Sequence, residues 1–274
     1  MGAMSRETVQ QEVREWLQDN WDPQLSLQAW REHLVDAGWA VPSWSHKWFG
    51  RDLPAWADQV VAEELRLIGA VGNPLGSGMS LAAPTIVEHG SDELKRLILR
   101  QTLTGEKTWC QLFSEPGAGS DLASLSTSAV LDGDEWVING QKVWISRIQH
   151  SDLMILLART TPLAEVQRKS EGMSIFLVDL REAIGNGLTV QPIANMVNHE
   201  TNELFFENLE IPADNLIGQE GQGFKYILDG LNAERTLIAA ECIGDGYWFI
   251  DRATKYAKDR VVFGRPIGQN QGVQ

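Results

Sequence analysis

Cysteine is the scarcest chemical resource of this chain, with two copies, Cys110 and Cys242, in 274 residues. They stand far apart on unrelated stretches, which excludes a disulfide framework and any cysteine-based metal spacing. The expectation is a reducing, cytoplasmic setting and no metal. Positive charge is also short: 23 Lys and Arg against 37 Asp and Glu leave a net charge of -14. Nucleic acid and anionic membranes would be repelled, so neither is expected as a partner. No apolar run reaches the roughly 18 residues that span a bilayer, and no signal-peptide pattern opens the chain. No Gly-x-Gly-x-x-Gly follows a strand, which argues against a Rossmann dinucleotide site. Met1-Gly2-Ala3 ahead of Met4 reads as an expression remnant and stays outside the fold argument.

What is present is ordinary in bulk and unusual in one residue. A hydrophobic fraction of 43% and a charged fraction of 22% fit a soluble protein. The length allows one large domain or two to three small ones. Eleven tryptophans are many, and most must be buried or cover a flat ligand.

The pattern of apolar residues changes twice along the chain. Helical spacing predicts helices over Thr8–Asn20, Leu27–Ala37, Leu53–Ile68, Ser80–Glu88 and Asp92–Leu103. At Lys107 the period falls to two, and strands are expected over Lys107–Phe113, Leu125–Leu131, Glu135–Ser146, Leu153–Thr161, Met173–Leu180, Leu188–Met196 and Asn202–Ile211. Asp132-Gly133-Asp134 and Asn139-Gly140 are turn signals, the second the strongest short hairpin signal in the chain. Pro162–Glu171 is expected to be a polar, mobile connection. A long helix then follows over Gln222–Asp259, whose stripe of apolar residues needs partners. The fold class is therefore α+β: an N-terminal helical domain (5–106), a closed or nearly closed antiparallel β-barrel (107–213) and the start of a C-terminal helical bundle (214–274).

Two stretches carry the chemistry. Trp109-Cys-Gln-Leu-Phe-Ser-Glu-Pro-Gly-Ala-Gly-Ser-Asp121 begins as a strand and breaks into a glycine-rich loop. Such a strand end can offer a planar ligand its backbone N–H groups and the Ser114 hydroxyl; a surface turn is the plainer reading. Gly140-Gln-Lys-Val-Trp-Ile-Ser146 adds a flat ring, Trp144, and a second hydroxyl. Gly218, Gly221 and Gly223 open the long helix, either as an anion-holding helix start or as a flexible lead-in.

Together the two stretches resemble the acyl-CoA dehydrogenase family, whose motifs are Thr-Glu-Pro-x-x-Gly-Ser-Asp and Trp-Ile-Thr. Serine replaces threonine here in both, keeping the hydroxyls, and the resemblance runs from about Leu34 to Gln274. It implies an FAD-dependent α,β-dehydrogenation of an acyl-CoA thioester in fatty acid metabolism. Electrons would pass to an electron-transfer flavoprotein. Phe113 and Ser114 would line the pyrimidine side of the flavin, Trp144 would pack on its far face, and Ser146 would bond near N5. A donor near N1 or O2 stabilises charge on the reduced ring. The family's Asn-Gly-Gly after the second motif is Arg147-Ile148-Gln149 here, a departure that bears on the local loop shape.

Other roles follow by the same resemblance. Ser120, Asn232 and Arg235 would contact the substrate. Arg260, Phe263 and Gln271 would reach a neighbouring subunit's FAD, which implies a homodimer or homotetramer. Leu231-Asn-Ala-Glu-Arg235 matches the isovaleryl-CoA and long-chain branch, which makes Glu234 the expected catalytic base. Taken alone, Glu234 and Arg260 read as solvated helix charges, Trp144 as a core ring and Ser120 as a turn serine. More than half of the family's C-terminal bundle would follow Gln274. A flavin oxidase or monooxygenase, or a non-catalytic partner subunit, are the competing functions.

Overall fold

The computed structural model describes residues 5–196 and 200–274, so Met1-Gly2-Ala3 lies outside the described residues. Residues 1–228 make one compact unit and residues 229–274 a second.

The first unit begins with α1 (Arg6–Asn20), α2 (Leu27–Asp36), α3 (Trp56–Leu67), α4 (Ala83–His89) and α5 (Asp92–Thr104). Three of these helices start on a serine whose hydroxyl accepts from a backbone N–H three residues on: Ser5, Ser26 and Ser91. Each satisfies a donor that the helix itself leaves unpaired. α5 stops at Gly105 (φ 79), a left-handed position that favours glycine. The expected helix Ser80–Glu88 is divided: a π-helical turn, Gly78–Ala82, precedes α4.

Apolar faces of these helices meet in a core of Val9, Val13, Leu17, Leu34, Val60 and Leu103, among others. Trp30 is 1% exposed there. Its ring lies 4.6 Å from that of Trp21, and its indole N–H donates to Val71 O at 2.6 Å. Glu64 is buried beside this core because Arg14 and Gln10 donate to its carboxylate. Those donors hold its carboxyl below the usual range.

Next come β1 (Trp109–Leu112), β2 (Ser128–Asp132), β3 (Glu135–Ser146), β4 (Leu153–Arg159), β5 (Met173–Asp179), the short α6 (Leu180–Ala183), β6 (Leu188–Pro192), β7 (Thr201–Pro212) and β8 (Leu216–Ile217). They pair in the order β6-β7-β3-β2-β4-β5-β8, with β1 alongside β4. Of the expected closed or nearly closed antiparallel barrel, closure is not seen and the pairing is not wholly antiparallel. Among the described residues the order is open at β6 and β8, and β1 runs parallel to β4. The β2–β3 hairpin lies between β1 and β4 in sequence, and a connection that long permits parallel pairing. Behind the sheet Trp136, Phe176, Leu156, Leu204 and their neighbours form a second core.

Two turn expectations change because of contacts with other segments. Asn139-Gly140 is not a turn; it lies inside β3 at a register shift against β7. Gly140 (φ 146) sits where a Cβ would come within 2.6 Å of Thr127 Cα, so close backbone approach is the reason for glycine. The reversal falls instead at Gly133-Asp134, between paired Asp132 and Glu135. The Pro162–Glu171 connection is pinned rather than loose. The buried Arg159 guanidinium donates to Lys169 O and Glu171 O, and on its other side to Ala123 O and Leu125 O.

α7 (Gly223–Asp259) runs from the first unit into the second, and β9 (Val261–Val262) and β10 (Arg265–Pro266) form a hairpin after it. Among the described residues no helix is long and apolar enough to cross a membrane.

Candidate functional site

β1 carries the chain to a tight turn. Glu115 and Ala118 exchange two backbone hydrogen bonds of 3.0 Å across Pro116 and Gly117. Phe113 is buried at the end of the strand and Ser114 is half-buried after it. A Cβ built on Gly117 or Gly119 would meet nothing within 4 Å, so the loop presents bare backbone to open space. Ser120 is exposed at its end. Asp121 beside it accepts from Ser124 Oγ at 2.6 Å and Lys169 Nζ at 3.2 Å.

The second stretch owes its shape to a β-bulge. From Lys142 to Ile145, β3 advances three residues while β7 advances two, from Leu204 to Asn202. The surplus is taken up with Trp144 at φ 63, in the left-handed region. A bulky residue holds that conformation at a cost of about 1–3 kcal/mol. The bulge turns the ring outward: Trp144 is 64% exposed while Val143 and Ile145 on either side are buried. Val143 N donates to Ser114 O at 2.9 Å, so Ser114 and Trp144 sit on adjoining backbone. Ser146 ends β3, exposed and opposite Thr201. Where the family pattern has Asn-Gly-Gly, Arg147 itself takes φ 64 and a 3-10 turn follows over Ile148–His150. Gln149 and Asn202 hold that turn by exchanging side-chain hydrogen bonds of 2.7 and 3.2 Å.

Beneath both stretches lies a buried ion pair that the sequence reading left without a role. Lys142 is fully buried and its Nζ donates to Glu115 Oε1 at 2.9 Å and to Phe113 O at 3.1 Å. Glu115 also accepts from Ser126 N and Oγ and from Thr127 N. Desolvation pushes the Glu115 carboxyl up, but the Lys142 charge and these donors outweigh it and bring it to about 2. Desolvation lowers Lys142 to about 8, against the pull of Glu115. Both groups are thus charged at neutral pH. The signal for Lys142 lay in the period of β3: counting by twos from Trp136 and Ile138 puts it on the inward face, where a lysine needs an anion. Gln111 was missed as well; its Oε1 is buried and accepts no hydrogen bond from a described residue.

The structure brings Phe113, Ser114, Trp144 and Ser146 together in the first unit. An exposed indole face, two hydroxyls and bare loop backbone fit a flat, hydrogen-bonding ring system. A cavity of about 430 Å³, lined by Leu97, Gln101, Leu153, Glu182 and Pro212, is a different place, and none of these site residues lines it.

In the second unit Asn232, Glu234 and Arg235 fall within one turn of α7. Glu234 is half-buried, while Asn232 and Arg235 are exposed and joined by an Arg235 Nη1 to Asn232 Oδ1 hydrogen bond of 2.7 Å. Arg260 is exposed at the end of α7, and Gln271 is exposed near the chain end. Phe263 stands fully exposed at the tip of the β9–β10 hairpin, at φ 55.

Comparison with known proteins matches most of the chain. Models of the acyl-CoA dehydrogenase N-terminal, middle and C-terminal domains match residues 1–106, 110–209 and 221–274. The chain is 34% identical over 203 residues to acyl-CoA dehydrogenase FadE26 of Mycobacterium tuberculosis, covering 74% of this chain and 50% of that protein. It is 38% identical over 194 residues to cyclohex-1-ene-1-carbonyl-CoA dehydrogenase of Geobacter metallireducens, covering 69% and 49%. The crystal structure of acyl-CoA dehydrogenase from Geobacillus kaustophilus superposes with a TM-score of 0.67 at 29% identity, covering 98% of this chain and 72% of that one. The chain spans about half the length of these two curated relatives.

Proposed function

The chain belongs to the acyl-CoA dehydrogenase family, and on that premise we propose that it serves FAD-dependent α,β-dehydrogenation of an acyl-CoA thioester. The observation that best supports this is the bulge that spends backbone strain to expose Trp144 beside Ser114. Phe113, Ser114, Trp144 and Ser146 would hold the flavin ring. Arg260, Phe263 and Gln271 of a neighbouring copy would reach this FAD, Arg260 as a guanidinium fork on the pyrophosphate. FAD, when bound, supplies an acceptor for the β-hydrogen as hydride. Glu234 takes the α-proton, and Ser120, Asn232 and Arg235 orient the thioester and its coenzyme A arm. The reading carries with it a homodimer or homotetramer, an electron-transfer flavoprotein as acceptor, a cytoplasmic setting, and the division at 5–106, 107–213 and 214–274.

Anaerobic titration of the FAD-loaded protein with a panel of acyl-CoAs tests it. Bleaching of the flavin by one thioester class is expected, with slow recovery in air. Protein that takes up no FAD would overturn the reading, and fast reoxidation by oxygen would assign an oxidase instead.

A further inference from the structure

Three separate segments converge on one buried charge pair. Lys142 Nζ reaches Phe113 O and the Glu115 carboxylate, and that carboxylate gathers the backbone N–H groups of Ser126 and Thr127. Val143 N, the next residue on β3, bonds Ser114 O. Residues 113–115, 126–127 and 142–143 are therefore stitched into one block, and Lys142 is the last residue of β3 in register before the bulge. Neither charged group reaches solvent: the Lys142 side chain is 0% exposed and that of Glu115 4%. A buried pair of this kind adds little net stability compared with apolar residues of the same volume, but it fixes geometry because each charge tolerates only one arrangement of donors and acceptors.

Resting on the FAD reading above, we propose that Lys142, held by Glu115, is a positioning residue for the cofactor. Its ammonium anchors the strand end at Phe113–Ser114 to the bulge, and so keeps Trp144 in its strained, outward conformation. On the other side of the bulge the buried Asn202 Nδ2 donates to Ile145 O at 3.1 Å, so Lys142 supplies the charged anchor before Trp144 and Asn202 a neutral one after it. Without the ammonium, the left-handed residue has reason to relax toward ordinary strand geometry, and the ring loses its place.

The test compares Lys142→Met with Phe176→Leu, a core change on β5, three strands from β3 in the sheet order, that lowers stability without removing a charge. FAD affinity of the apoprotein and hydrogen–deuterium exchange over residues 142–147 are read in both, with thermal midpoints measured alongside. Lys142→Met is expected to weaken FAD binding at least tenfold and to speed exchange in that segment, while Phe176→Leu leaves both near the parental values. If Lys142→Met does not fold, the double variant Glu115→Gln/Lys142→Met, which leaves no lone buried charge, replaces it with the same expectations. Parental affinity and exchange in the lysine variant, or equal losses in Phe176→Leu, would overturn the positioning role. A parental protein that binds no FAD would sink the flavin reading instead, and the exchange comparison would still decide whether Lys142 holds the bulge.

Discussion

Trp30 and Trp248 are both tryptophans on helices with an apolar stripe, yet Trp30 is 1% exposed and Trp248 54%. The difference runs through the two units. In the first, α1, α2 and α3 close on one another, and the residues expected at the cofactor lie on backbone pinned by cross-segment hydrogen bonds. In the second, α7 leaves Ile243, Tyr247, Phe249 and Ile250 more than 60% exposed, and the hydrogen bonds around Asn232 and Arg235 reach no farther than one turn. An apolar stripe states that a helix needs a partner without saying which one. The first unit contains its partners; in the second, among the described residues, the apolar side chains of α7 from Ile243 to Ile250 stay exposed. The residues proposed for the flavin ring are thus held by cross-segment bonds of the first unit, and those proposed on α7 by bonds within one helical turn.

The largest expected effect probes the loosely held half. Glu234→Gln keeps shape but cannot accept a proton, and should slow flavin bleaching by acyl-CoA at least about 10³-fold, about 4 kcal/mol. Stopped-flow absorbance measures it; a rate close to parental would make Glu234 a solvated helix residue.

Leu34→Ala, in the core of the first unit, should lower unfolding stability by about 2–5 kcal/mol, read from a urea midpoint. A change below about 1 kcal/mol would mean that this helical core is not the cooperative unit its burial suggests.

Glu115→Gln should erase an acid limb of the stability curve. The Glu115 carboxyl lies near 2 in the folded protein, below its unfolded value of about 4.3. Its contribution is therefore present above about pH 4.3 and is lost as pH falls toward 2, on the order of 3 kcal/mol. In the variant, stability should fall less over that window and be lower at neutral pH; an unchanged acid limb would remove Glu115 from the cause. Lys142 changes stability in the same direction with pH, its folded value also being depressed, to about 8, but as a cost rather than a contribution. The unfolded chain binds the extra proton, so burial of Lys142 costs stability below about 8 and that cost fades as pH rises toward 10.4.

Trp144→Ala should weaken FAD retention by about 1–3 kcal/mol while barely altering the thermal midpoint, because the ring is 64% exposed. A large drop in midpoint would make Trp144 a structural residue. The smallest effect is expected at Ile243→Ala, within about 0.5 kcal/mol, since Ile243 is 63% exposed. A loss matching that of Leu34→Ala would dissolve the contrast between the units.

The sequence by itself determined the order of helical, sheet and long-helix regions, most element cores to within a few residues, and the two stretches of residues that carry the chemistry. Periodicity, caps and the strand-to-glycine break are local properties, written in neighbouring residues. Tertiary structure alone decided what depends on partners far apart in the chain. The Asn139-Gly140 pair became a bulge because Thr127 passes against it. The expected barrel became an open order with a parallel strand because β1 found β4 across the intervening hairpin. Trp144 points outward because β3 carries one residue more than β7 can match over that span, and Lys142, which the strand period already turns inward, keeps its charge there because Glu115, 27 residues away, receives it. Register between strands and the pairing of buried charges are set by the sum of contacts over the whole sheet, and no stretch of neighbouring residues contains that sum.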